Sequence, residues 1–171
     1  MIKNKVEIAL NEQINAEFHS AYLYLSMSAY FQSIGMAGFA NWMRVQYQEE
    51  LAHSTRFFDY LNGRGGRVKL APIEEVQVEY SGVLDVYEET LKHEQLVTGL
   101  INRLMDIAIQ ESDHATKSFL QWFVDEQVEE EANVEQILNN LKLIKGEGQG
   151  LLMMDREMKA RVFVDPFAGI A

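Results

Sequence analysis

Apolar residues recur at helical spacing in four long blocks, and Gly and Pro fall almost entirely between them, as expected of an all-α chain. The first block runs from about Lys5 to Ser33, with Val6, Leu10, Ile14, Ala21, Leu25 and Phe31 on or beside one stripe, and ends near Gly35. A second, from about Gly38 to Asn62, carries Phe39, Met43, Tyr47, Phe57 and Leu61 and stops at Gly63-Arg64-Gly65-Gly66. The third, about Val83 to Glu111, shows Leu84, Tyr87, Leu91, Ile101, Met105 and Ala108. The fourth, about His114 to Lys145, shows Leu120, Phe123, Val134, Ile137 and Leu141.

The stretch from Gly63 to Gly82 holds Pro72 and a strand-like alternation of Val76 and Val78 but no helical period, so it reads as a connection. Fully extended, such a segment spans about 65 Å, whereas helices of 25 to 30 residues are about 37 to 45 Å long. One long connection is therefore enough to return along the length of a bundle. The predicted topology is a helix pair, a crossover between the second and third helices, and another helix pair: a four-helix bundle over about 5–145. After the glycines of 146–150, the segment from Leu151 to about Arg161 reads as a short fifth helix, followed by the apolar tail Val162-Phe163-Val164-Asp165-Pro166-Phe167. The whole chain, 1–171, is read as one domain, with the short C-terminal helix and tail at about 151–171.

Each apolar stripe is interrupted near its middle by groups foreign to a core. On the first helix the stripe passes Ile14, Glu17, Ala21 and Tyr24, and on the second Tyr47, Glu50, His53 and Phe57. On the third it passes Leu91, Glu94, Thr98 and Ile101, and on the fourth Phe123, Gln127, Glu130 and Val134. Four helices thus aim polar groups at one axis. Carboxylates without partners are expensive to bury, and only His53 on these stripes can carry positive charge.

The spacing argues separately. Glu17 and Glu50 lie 33 positions apart, as do Glu94 and Gln127, and a shift of 77 positions lays one half on the other. Within each half, a second ligand follows three residues later, His53 after Glu50 and Glu130 after Gln127, and residues at i and i+3 share a helix face. Such a repeat builds a dinuclear, carboxylate-bridged metal site inside a bundle. Oxygen donors with one imidazole suit iron or manganese better than zinc or cuprous copper. Taken singly, each Glu could be a helix face turned to solvent; four in register argue for a site. Tyr24 shares the stripe with Glu17, either as a core tyrosine or as a hydrogen-bond partner of a ligand. Glu129, Glu130 and Glu131, with Glu126 and Glu49, read as a solvated face, or, since Glu49 and Glu126 adjoin ligand positions, as an additional peripheral cation site. His19, His93 and His114 show no ligand spacing and read as surface or structural.

Composition narrows the partners. With 26 Asp and Glu against 15 Lys and Arg, the formal charge of −11 repels phosphate backbones and anionic lipid and attracts cations. No nucleic-acid partner is expected. No stretch approaches the roughly 18 to 20 apolar residues of a membrane span, and charge recurs at the N-terminus before any leader-like apolar run. A soluble, cytoplasmic protein is expected. The absence of Cys removes thiolate metal sites and thiol chemistry.

The residues from Leu10 to Gln13, Tyr47 to His53, Tyr87 to Gln95 and Phe119 to Gln127 resemble the ferritins, specifically the bacterial non-haem ferritins, over nearly the whole chain. The resemblance implies a ferroxidase centre in which Glu17, Glu50 and His53 hold one iron, Glu50 bridges, and Glu94 with Glu130 holds the second. Gln127 stands where some relatives have Glu and would hydrogen-bond rather than bind tightly. A third iron would map onto Glu49, Glu126, Glu129 and Glu130, and Tyr24 onto the family's tyrosine near the centre. The resemblance also implies a homo-oligomeric shell of 24 chains, in which ferrous iron is oxidised by dioxygen or peroxide and stored as a ferric oxide mineral, with the fifth helix at the four-fold axes. The haem-binding relatives would carry Met where Leu51 stands and a second carboxylate-x-x-His where Glu130 stands, so no haem is expected. Two other readings stay open from the residues alone: a dinuclear oxidase or oxygenase acting on an organic substrate, and a structural bundle with vestigial carboxylates.

Overall fold

In the computed structural model, residues 2–169 are described. Four long helices form two antiparallel pairs: α1 (Asn4–Ser33) on α2 (Ala37–Gly63), and α3 (Val83–Gln110) on α4 (His114–Leu143). The pairs meet through α1 and α3, and a short α5 (Gly148–Met158) lies against α2. Residues 64–82 form the crossover, without helix or strand. It is stitched to the outside of α1. The Asn11 side chain donates to Arg67 O at 3.1 Å and accepts from Lys69 N at 2.6 Å. Farther along, the Ser26 and Tyr30 hydroxyls donate to the carbonyls of Gln77 and Tyr80.

The bundle's apolar core is divided in two. One cluster gathers the α1 C-terminal half, the α2 N-terminal half, the α3 start, the α4 end and α5, with Tyr24, Phe31, Phe39, Met43, Tyr87 and Leu141 fully enclosed. The other gathers the opposite ends, with Leu10, Ile14, Phe57, Leu61, Ile101 and Leu120 enclosed. Each large apolar side chain removed from water contributes about 1.5–3 kcal/mol. Between the clusters lies the layer of polar residues taken up below.

The ends of α2 are held by residues distant in sequence. No α2 residue caps its N-terminus; instead Gly38 N and Phe39 N donate to Asp155 Oδ1 of α5, at 2.7 and 3.2 Å. A carboxylate there satisfies amides that the helix cannot, and sits at the positive end of its dipole. Just beyond the far end of α2, Arg64 pairs with Asp113 at 3.1 Å, and Asp113 itself caps α4 by accepting from Thr116 N.

α5 begins at Gly148, three residues before the expected Leu151, and ends at Met158 rather than near Arg161. The glycines at 148 and 150, which read as breakers, lie inside its first turn. At Gly150 a Cβ would stand 2.8 Å from the Ile144 Cγ2, so the glycine permits α5 to fold close against the residue that follows α4. A tighter approach occurs at Gly38, where a Cβ would overlap the Asp155 carbonyl oxygen at 1.5 Å.

Gly38→Ala is therefore expected to lower the melting temperature, at a cost of about 1–3 kcal/mol as α5 is displaced. Gly99→Ala, in mid-α3 with no atom near the new methyl, is expected to be neutral or stabilising by about 0.5–1 kcal/mol. Thermal unfolding by circular dichroism compares the two, and equal melting temperatures for both variants would contradict the close approach.

Candidate metal centre

The layer between the two apolar clusters holds Glu17, Glu50, His53, Glu94, Gln127 and Glu130, every one buried. The inward register predicted for all six is thus what the helices adopt. Glu17 is 1% exposed and Glu94 fully enclosed, and among the described residues no Lys or Arg is buried with them. One donor atom from each of Glu17, Glu50 and His53 lies within 4.8 Å of the other two. His53 Nδ1 stands 3.3 Å from Glu50 Oε2, as the i, i+3 spacing on α2 allows.

Glu94 and Glu130 approach from the opposite helix pair. Tyr24 donates its hydroxyl hydrogen to Glu94 Oε1. Gln127 Nε2 lies 3.2 Å from Glu94 Oε2, 3.3 Å from the Glu94 carbonyl and 3.3 Å from Thr98 Oγ1. Gln127 therefore orients Glu94, and Tyr24 fixes its other oxygen. Glu130 Oε2 accepts from Gln46 Nε2 at 3.0 Å. On the first pair, Gln13 Nε2 donates to Glu17 Oε1 at 2.7 Å. Gln13 and Gln46 are not singled out by the sequence pattern, although each stands four residues, about one turn, before a ligand candidate on the same stripe.

Three buried polar atoms have no hydrogen-bond partner among the described residues: Glu17 Oε2, His53 Nε2 and Gln46 Oε1. An orphaned carboxylate oxygen beside an imidazole costs desolvation energy that no protein donor returns. A cation would return it. The electrostatics agree. Burial, then the Glu50 charge, pushes Glu17 well above the ordinary carboxylate range. Burial and the Glu94 charge do the same to Glu50. Glu94 is raised by burial against the opposing hydrogen bonds of Tyr24 and Gln127. Glu130 is raised to about 8, by burial and then by Glu94 and Glu49. Tyr24 too is pushed well up, by burial and by Glu94. Mutual repulsion of this kind collapses when divalent ions replace the protons.

The outer flank differs. Glu49 and Glu126 are half-buried and raised by burial, and Glu129 is exposed. Glu129 raises both of the others, and Glu49 raises Glu126, so the three share one region. Glu49 Oε2, however, is paired with Arg161 at 2.6 Å, a contact that nothing in the sequence pattern indicated. Aromatic rings enclose His53: Trp122 at 5.5 Å, Phe123 at 5.7 Å and Phe167 of the tail at 6.0 Å. Of the remaining histidines, His114 is exposed. His93 packs edge-on against Tyr24 at 5.9 Å with Nε2 2.8 Å from Ser20 Oγ, and burial, followed by His19, lowers it to about 4.

Raised carboxyls link stability to pH. Glu17, Glu50 and Glu130 are all raised in the folded, metal-free protein above the unfolded value of 4.5, so above that value unfolding releases protons and stability falls as pH rises toward the raised range. The melting temperature of metal-free protein is expected to drop by about 5 °C or more between pH 5.5 and pH 8. Glu130→Gln is expected to flatten part of that slope by raising the pH 8 value. Scanning calorimetry across the range is the measurement; a melting temperature that climbs toward pH 8 contradicts the burial of protonated carboxyls.

A family model described as Ferritin-like domain matches residues 7–144. The bacterial non-heme ferritin of Bacteroides fragilis is 43% identical over 161 residues, covering 94% of this chain and 100% of that protein. That of Staphylococcus aureus is 38% identical, covering 94% and 96%. Among solved structures, a closed form of the Archaeoglobus fulgidus ferritin made by site-directed mutagenesis is 51% identical, with a TM-score of 0.94 over 96% of this chain and all of that one. The open-pore ferritin of the same archaeon superposes with a TM-score of 0.93 at 51% identity, over 95% of this chain and 100% of that one. Four helices joined by a long crossover, a buried carboxylate and histidine layer at mid-height, and relatives aligned along nearly their whole length make one case: the chain belongs to the ferritin family.

Proposed function

We propose that this chain stores iron, oxidising Fe(II) at the buried layer and passing Fe(III) to a ferric oxide mineral inside a shell of identical subunits. The observation that carries the reading is the orphaned Glu17 Oε2 on a carboxylate that clusters with Glu50 and His53, in a layer where, among the described residues, no Lys or Arg is buried. Iron is the substrate. Glu17, Glu50 and His53 take one ferrous ion, Glu94 and Glu130 the other, and Glu50 bridges, in keeping with its charge raising Glu17 and with Glu50 itself being raised by Glu94 and Glu130. Gln127 and Tyr24 hold Glu94 in place rather than competing for metal. Glu49, Glu126 and Glu129, with Glu130, form a third, weaker position on the flank.

Two ferrous ions give one electron each; dioxygen accepts the pair and, with two protons, leaves as hydrogen peroxide. Peroxide as oxidant accepts the same pair with two protons and leaves as two water molecules. The carboxyls, protonated when the layer is empty, release their protons on metal entry, so uptake acidifies the medium. A cytoplasmic 24-chain assembly without haem fits the resemblance and the Leu51 position. No helix among the described residues is long and apolar enough to cross a membrane, and the net charge of −11 favours cations over nucleic acid.

An oxygenase would need an apolar chamber beside the metals. Phe57, Phe119 and Phe123 instead fill that flank in ring contact, with Phe57 and Phe123 stacked at 4.2 Å.

Aerobic loading of metal-free protein with excess Fe(II), desalting and iron counting tests the reading. Tens of ions retained per chain are expected; retention of about two, the capacity of one bridged pair, would instead identify a dinuclear enzyme. Glu130→Ala is expected to slow initial oxidation by at least about 10- to 100-fold, the loss typical even for the outer partners of metal ligands. It should leave the metal-free fold intact, because a repelled buried acid has been removed. An unchanged stopped-flow oxidation rate in Glu130→Ala would refute the assignment of the second iron.

A further inference from the structure

After Met158 the chain turns back along α2. Asn41 Nδ2 donates to the carbonyls of Met158 at 3.1 Å and Arg161 at 2.9 Å, which fixes the turn against the helix. The Arg161 guanidinium then lies over the Trp42 ring, 4.6 Å from its centroid, and reaches Glu49 Oε2 at 2.6 Å. Farther on, Phe167 sets its ring 4.5 Å from Trp122, with Arg56 5.4 Å over its face. The segment from 161 to 167 thus runs beside the flank of the metal layer, anchored at both ends.

We infer that Arg161 is a built-in counter-cation of the flanking acidic group, and that it competes with the third metal ion for Glu49. The inference rests on the third position proposed above. Glu49 is a carboxylate whose one oxygen already carries a charge-assisted hydrogen bond, the strong kind for a guanidinium. A divalent ion that takes Glu49 meets the repulsion of the guanidinium and must displace it from the carboxylate. Arg161 itself is 26% exposed, so water screens part of the repulsion. The result is weakened binding of the third ion rather than exclusion. While Arg161 holds Glu49, the paired positions fill first; iron that occupies the flank must push the guanidinium aside.

Calorimetric titration of the assembled, metal-free protein with Zn²⁺, which has no redox chemistry, tests this. Wild type should bind two ions tightly and a third weakly. Arg161→Gln should tighten the third by about tenfold or more and leave the first two unchanged. Equal affinity for the third ion in both proteins, or weaker binding in the variant, overturns the competition while the third position stands. If neither protein takes a third ion, the third position fails, and the inference with it. Should Arg161→Gln not fold, Trp122→Phe leaves Trp42 as the single tryptophan. Its emission should then change as the third equivalent binds and the guanidinium leaves its ring; a third equivalent bound with no change in emission overturns the inference.

Discussion

Everything in this structure depends on a repulsion that the fold contains but does not relieve. Four carboxylic acids and an imidazole share one layer in which, among the described residues, no Lys or Arg is buried, and isolated buried charges cost on the order of several kcal/mol each. The apolar clusters above and below supply the cohesion that holds the acids together, and burial with the Glu94 charge raises Glu50 well above the ordinary carboxylate range, which favours its neutral form. The layer is therefore a place where the protein is less stable than its helices alone would make it. That deficit is what a metal ion recovers on binding, so affinity for cations is stored in the empty fold.

The two halves of the layer are related but unequal. The half from α1 and α2 offers two carboxylates and an imidazole in close reach. In the other half, Glu94 is held by a tyrosine hydroxyl and a glutamine amide, and Glu130 by Gln46. In the first half Glu17 Oε2 and His53 Nε2 are left without partners, although Gln13 holds the other Glu17 oxygen, whereas both oxygens of Glu94 in the second half are hydrogen-bonded.

Much of this was legible in the sequence, for identifiable reasons. Long amphipathic periods with few breakers give helices, and a polar residue on an apolar stripe is visible wherever the period is strong; Glu17, Glu50, Glu94 and Glu130 all stood out that way. Gln13 and Gln46 did not, because a neutral amide on a stripe is an unremarked interruption until its partner's charge is placed beside it. α5 starts earlier than its glycines suggest because Gly150 admits the Ile144 side chain and Gly148 takes a positive φ at the helix start, and the sequence alone does not separate a glycine that breaks a helix from one that lets it begin. Arg161 and Phe167 were opaque for another reason: an aperiodic tail carries no signal of its path, so its contact with Glu49 and Trp122 is known only once the fold exists.

The fastening of α2 has a mechanical consequence. This one helix bears Gln46, Glu49, Glu50 and His53, and a slip of a single residue along its axis would rotate it by about 100° and carry those groups out of the layer. Asp155 grips its first amides from α5, while Arg64, just past its last turn, is tethered to the start of α4. With both extremities clamped, sliding and rolling are denied together, and the helix acts as a keyed shaft whose angular setting is fixed by residues far from any ligand. Damage at Asp155 or Asp113 would accordingly surface as a mistimed, misaligned centre before it surfaced as an unfolded protein.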